Sequence, residues 1–205
     1  MKGRHVIVTG AFGALGAAVR AAFEARGAEL HLPAAERVDL SDEEGVVKYF
    51  ASLPPLWASV HLAGGFAMGP LAQTPLSLVR QQYDMNFVTA FLCSREAVKK
   101  GASRIVNVAS RAALEPSGGA VAYSTAKAAV VWLTRALAEE LKPQGVLVNA
   151  VAPSLMDTPA NRKAMPDADH AKWPKTEDVA KAIVWLASEE NVLTSGAVVP
   201  VYGAV

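Results

Sequence analysis

Six short runs rich in valine, isoleucine, leucine and alanine recur along the chain: "HVIVT" (5–9), "ELHL" (29–32), "ASVHLA" (58–63), "RIVNVA" (104–109), "VLVNAV" (146–151) and "AVVPV" (197–201). They read as continuous apolar runs, the pattern of strands buried on both faces in a parallel sheet. Parallel neighbours need a crossover of about a dozen residues or more, usually a helix. Stretches of helical period at 14–26, 42–52, 76–100, 121–142 and 177–188 supply such crossovers. Ser41 followed by Glu44 reads as a capping box, and Thr176 precedes an acidic first turn. The expected fold is α/β: a doubly wound, mostly parallel sheet of Rossmann type, with helices on both faces and a single domain over 1–205.

One interval is too short for this scheme. Between 32 and 38 no helical crossover fits, so if "RVDL" (37–40) is a further strand, a loop reaches it. The helix between the second and third strands is expected to be missing.

A chain of 205 residues with 52% hydrophobic and 19% charged residues has ample core for one domain. Its formal charge of +1 gives no footprint for nucleic acid or an anionic membrane. No apolar stretch is long enough to span a bilayer, and the start does not read as a signal peptide, so a cytoplasmic location is expected. The lone Cys93 reads as a small buried residue. The four histidines lack metal-ligand spacing, and His61 reads as structural.

The first run leads straight into "TGAFGALG" (9–16), with glycines at 10, 13 and 16 ahead of the first helix. Such a turn brings backbone N–H groups and the helix dipole to a pyrophosphate, with glycine allowing positive φ and close approach. Alone, the pattern is a weak signal that also fits a tight turn; its place directly after the first strand of an α/β chain favours phosphate cradling. Further along, "YSTAK" sets Tyr123 and Lys127 four residues apart on one helix face. Ser110 lies thirteen residues before Tyr123, and Asn86 sits in "DMNFVTAF" within the long central helix. Each also has a plain reading as part of a packed surface; the ordered set does not.

That set resembles the short-chain dehydrogenase/reductase family over nearly the whole chain. The glycine loop is similar to T-G-x-x-x-G-x-G, with Ala14 at the middle glycine and Gly13 before it. The resemblance implies NAD or NADP held by Gly10, Phe12, Gly13, Ala14, Leu15 and Gly16. "VDLSD" resembles the segment whose aspartate, here Asp39, and next residue, Leu40, border the adenine; Asp39 also fits a position ahead of the Ser41 cap. "HLAGG" stands for N-N-A-G, which brings in Ala63, Gly64 and Gly65. "NAVAPSLMDT" resembles the stretch holding Pro153, with Ser154 for the usual glycine and Thr158 at the nicotinamide amide. "EDVAKAIVWLAS" and "SGAVVPVYG" look like the family's closing helix and strand.

Within the family, "GALG", "AGGF", the absent helix and "DTPANRKAMPDADHAKW" (157–173) look like the quinonoid dihydropteridine reductase branch. Phe66 stands where the animal enzymes of that branch carry tryptophan, and those enzymes have no serine at the place of Ser110. Ser110 and Asn86 restore the general family tetrad and leave another carbonyl or imine substrate open.

The implied mechanism makes Tyr123 the acid that protonates substrate as the nicotinamide delivers hydride. Lys127 is expected to lower the phenol's pKa and hold the ribose, Ser110 to orient the acceptor group, and Asn86 to hold a relay water. The segment 157–173, with Met165 and Trp173 beside Asn161 and Arg162, reads as a lid over an aromatic substrate. Specificity for NAD rests on an acid about 20 residues past the glycine loop. Pro33 and Ala34 occupy that region, Glu36 comes late, and Arg37 suits a 2′-phosphate, so the balance leans towards tolerance of NADP. The expectation is an NAD(P)H-dependent reductase of a dihydropterin-like planar ring. The alternatives are reduction of a ketone or quinone, and a dinucleotide sensor without turnover. A homodimer or homotetramer is expected through the helices bearing Phe87, Phe91, Val130 and Trp132.

Overall fold

All six apolar runs pair in one sheet. The protein, seen here in a computed structural model, is described over residues 1–115 and 118–204. Strands β1 (His5–Thr9), β2 (Glu29–His31), β3 (Ala58–His61), β4 (Arg104–Val108), β5 (Leu147–Pro153) and β6 (Val198–Val201) run parallel in the order β2-β1-β3-β4-β5-β6. Side chains alternate between the faces, and both faces are covered. Val6 and Val8 meet α1 (Ala14–Glu24) and α7 (Thr176–Ala187) through Val19, Phe23 and Ile183. Ile7 faces the other way, into Val46 and Phe50 of α2 (Glu43–Ala51) and Leu92 of α4 (Thr89–Lys99). On that side Ile105 and Val148 pack under α5 (Val121–Leu141). Complete burial of a side chain such as Phe23 stabilises by about 1.5–3 kcal/mol. Connections from β1 and β3 leave for opposite faces, which opens a crevice at the carboxyl ends of these strands.

No helix interrupts 32–38, as the length argument requires, but "RVDL" is not a strand. The helix expected to be missing between the second and third strands is therefore present: α2 lies between β2 and β3. Leu40 instead packs against the cluster of Val46 and Phe50. The capping box is also displaced. Asp39 accepts from both the Ser41 amide (2.9 Å) and hydroxyl (2.7 Å), and Asp42 caps α2 by accepting from Gly45 N at 2.8 Å. Thr176 is the first residue of α7 rather than its cap, with Glu177 and Asp178 in the first turn.

The helix expected over 76–100 is broken into α3 (Leu76–Tyr83), a π turn at Asp84–Val88, and α4. At its end the Thr89 amide reaches back to the Asp84 carbonyl. Val130 lies in the core, so only Phe91 and Trp132 of the expected interface residues are well exposed. Among the described residues no helix is long and apolar enough to cross a membrane.

Candidate active site

The loop after β1 is shaped by contact. Gly10 has φ +66°, and a Cβ there would lie 2.6 Å from Ala63 N. A Cβ on Gly16 would run into the Gly10 carbonyl. Only glycine lets β1, β3 and α1 meet so closely. Gly13 precedes α1 without a side-chain cap, and the first turn holds no acid. The leading amides of α1 therefore have no side-chain cap, a helix start with the chemistry to receive an anion. From here a cavity of about 320 Å³ runs past Gly64 to Lys127, Thr158 and Asn161.

At the far end, β4 delivers Ser110 in an extended conformation, its hydroxyl accepting from Ala112 N at 3.2 Å. The first turns of α5 carry Tyr123 and Lys127. Burial pushes the pKa of the Tyr123 phenol up, and the neighbouring Ser110 hydroxyl pulls it back. Phe66 meets the Tyr123 ring edge to face at 4.9 Å. Lys127 Nζ donates to the Val108 carbonyl at 2.8 Å, and burial lowers its pKa to about 8. Asn86, in the π turn, donates to the carbonyls of Gln82 (2.9 Å) and Gly65 (3.1 Å) and accepts from Gly65 N. Below Lys127, His61 shares a 2.8 Å hydrogen bond with Asn107, whose amide donates to Thr134. Burial holds His61 near pKa 4, so it is a neutral structural group at ordinary pH. A second cavity of about 760 Å³ opens outward from Ser110 and Tyr123, walled by Phe66, Met156 and Trp173. A neutral phenol thus stands where two cavities meet.

A family model described as enoyl-(acyl carrier protein) reductase matches residues 1–203. The chain belongs to the short-chain dehydrogenase/reductase family. This oxidoreductase is 35% identical to the uncharacterized oxidoreductase YohF of Escherichia coli strain K12, over 67% of this chain and 59% of that protein. It is 30% identical to the 2-(R)-hydroxypropyl-CoM dehydrogenase of Xanthobacter autotrophicus, over 98% of each chain. A solved structure described as ElxO with NADP bound superposes with a TM-score of 0.90 at 25% identity, covering 99% of this chain and 98% of that one.

In this short-chain dehydrogenase/reductase the first cavity gathers Ser110, Tyr123, Lys127 and Asn86. Gly10, Gly13, Ala14, Leu15 and Gly16 line its start, and Gly64, Gly65, Pro153 and Thr158 complete it. Four expected residues do not line it. Phe12 turns outward with the Arg20 guanidinium 5.7 Å from its ring centroid. Ala63 is bonded through its amide to Thr9 Oγ1 at 3.2 Å. Asp39 is engaged by Ser41, and Leu40 faces the core.

Two expected interactions take another form. Lys127 does not lower the Tyr123 pKa: its ammonium turns to Val108, and the influence on the phenol is that of burial and Ser110. The Asn86 side chain clamps the Gly65 backbone instead of presenting a free amide to a water. Of the lid, 159–164 forms the short helix α6 (Pro159–Ala164), with Thr158 accepting from Asn161 N. Trp173 and Asn161 wall the second cavity, whereas Arg162 is paired with Asp157 and Met165 is exposed. Sequence reasoning missed the Val108 carbonyl and Met156. Nothing in an apolar run marks which carbonyl will meet a lysine from another element.

Proposed function

We propose that this protein is an NADP(H)-linked reductase of a ketone carbonyl, working also in the reverse, alcohol-oxidising direction. The observation that carries this reading is that Ser110 and Tyr123 line both cavities, where the two meet. The first cavity suits a dinucleotide: an uncapped helix start for the pyrophosphate, and glycines whose Cβ atoms would close the cradle. The name of the Xanthobacter relative and the NADP of the ElxO structure point the same way. So does the end of β2, where Pro33 and Ala34 offer no acid to oppose a 2′-phosphate.

A bound nicotinamide supplies the hydride. Ser110 fixes the carbonyl oxygen, and Tyr123, kept neutral by burial, gives it a proton as charge develops. Lys127, held on the Val108 carbonyl, meets the ribose. Asn86 holds Gly64 and Gly65 beside Lys127: a Cβ on Gly64 would lie 2.5 Å from Asn86 Oδ1 and 3.4 Å from Lys127 Nζ. Gly64 thus keeps the passage between them open.

A second reading, reduction of a quinonoid dihydropterin-like ring, is favoured by Phe66 and Trp173 on the wall of the outer cavity. Steady-state turnover with NADPH and NADH against ketones, quinones and quinonoid dihydropterin separates the two. For a ketone, Ser110→Ala is expected to lower kcat about 100-fold; for the pterin the loss is mild. Absence of turnover with every acceptor would remove both readings and leave a dinucleotide sensor.

A further inference from the structure

The turn after β6 holds the wall of the outer cavity from behind. Tyr202, Gly203 and Ala204 do not line that cavity, yet their backbone meets residues that do, or the neighbours of such residues. The Ser154 amide donates to the Val201 carbonyl at 3.2 Å, and the Ser154 hydroxyl to the Tyr202 carbonyl at 2.7 Å. Ala204 N donates to the Lys172 carbonyl at 2.9 Å, on one flank of Trp173. Gly203 has φ +68°, and a Cβ there would lie 2.5 Å from that carbonyl and 2.9 Å from Pro174 N, on the other flank. Glycine is what lets the turn close on both neighbours of the tryptophan. Trp173 itself is buried, whereas most of 159–172 is open to water. The Asp157 amide donates to the Pro174 carbonyl at 2.9 Å, so the far limb of the lid is tied at its base as well as at 203–204.

We infer that Gly203 and Ala204 are positioning residues for the reducible substrate: they set Trp173 at the depth that decides which rings the outer cavity admits. The inference rests on the reading of this cavity as the ketone's. Neither residue touches substrate; both act through Trp173, whose indole is a large, rigid apolar wall. Displacing a positioning contact by about 1 Å can cost as much as 10²-fold when it carries the reacting group away from its acid. Ser154, bonded to the same turn, lines both cavities, so the turn joins the Trp173 wall to the junction where Tyr123 stands.

The test compares Gly203→Ala, Trp173→Ala and the double variant, with NADPH and two ring ketones, cyclohexanone and 2-decalone. KM for the ketones is expected to rise about tenfold in each single variant, and the double variant to match Trp173→Ala alone. Both kcat and the Kd for NADPH stay within about twofold, a split that a general loss of structure would not give. Asparagine tolerates positive φ, so Gly203→Asn is expected to raise KM as much as Gly203→Ala, through the Cβ against Lys172. Hydrogen exchange gives a readout independent of turnover: amides over 170–175 exchange about tenfold faster in Gly203→Ala, while those over 121–127 do not change. Faster exchange there without turnover of any ketone would refute the ketone reading and uphold the role of the turn. Unchanged exchange over 170–175, KM losses that add in the double variant, or a Gly203→Asn protein with the wild-type KM would overturn the inference.

Discussion

The two ends of the dinucleotide cleft are built differently. At the inner end, Tyr123 stands with Ser110 on the cavity wall and packs against Phe66, Lys127 is bonded to the Val108 carbonyl, and Asn86 to Gln82 and Gly65. These groups arise from β4, α5 and a π turn packed together in the interior. At the outer end the chain from 32 to 40 forms no helix or strand, Glu36 and Arg37 are exposed, and Asp39 is engaged by its own neighbour Ser41. Chemistry is held by buried contacts that permit one arrangement. On the proposed reading, dinucleotide preference falls to an exposed loop, where any contribution is weak and sensitive to salt.

Substitutions at the two ends test this contrast, and the largest effect belongs to the inner one. Tyr123→Phe removes the proton donor but keeps the ring against Phe66. Pre-steady-state kinetics are expected to show hydride transfer slowed about 10²–10⁴-fold, with NADPH affinity nearly unchanged. Comparable rates would break the assignment of Tyr123.

Lys127 comes next, through its pH dependence. Burial lowers its pKa to about 8 in the free protein, and an anionic dinucleotide favours the charged form. Above that pH, binding takes up a proton, so affinity for NADPH is expected to weaken about tenfold per unit. Titrations between neutral pH and mild alkali check the slope; Lys127→Met weakens binding and flattens it. The same shift makes the free protein gain stability as pH rises above about 8, because the unfolded chain still binds the proton there.

Effects at the outer end are smaller. Arg37→Ala is expected to reduce the preference for NADPH over NADH by roughly threefold, in a manner abolished at high salt. A hundredfold loss would show that the loop becomes ordered around the 2′-phosphate. Asp39→Ala is the mildest, with a melting temperature lowered by about 2–4 °C if the Ser41 turn contributes roughly 1 kcal/mol. A large change in dinucleotide affinity would restore Asp39 to the adenine site.

Much of the architecture is legible in the sequence because parallel strands buried on both faces admit few residues other than Val, Ile, Leu and Ala. The glycine loop is legible for a similar reason: Gly10 and Gly16 sit where a Cβ would strike backbone. The break at Asp84–Val88 is not. The stretch 76–100 contains neither proline nor glycine, and where the helix opens the Asn86 side chain donates both to the Gln82 carbonyl one turn back and to Gly65 from another part of the chain. The spacing of Tyr123 and Lys127 gives their shared face, but a lysine has a flexible four-carbon stem. Only packing decides that it ends on Val108. Asp39 misleads because a motif names a position and says nothing of local competitors such as the Ser41 hydroxyl.

The short link after β2 also bears on how this chain can change length. Each doubling of a flexible surface loop adds only about 0.6 kcal/mol of closure entropy. Residues 34–37 lie in a turn whose side chains are mostly open to water, so inserted segments there displace little packing. A helix-length insertion would be tolerated at this point while β4 and α5 keep their register. The outer end of the cleft is therefore where the protein can acquire a new adenosine contact by growth, with the reacting groups left in place.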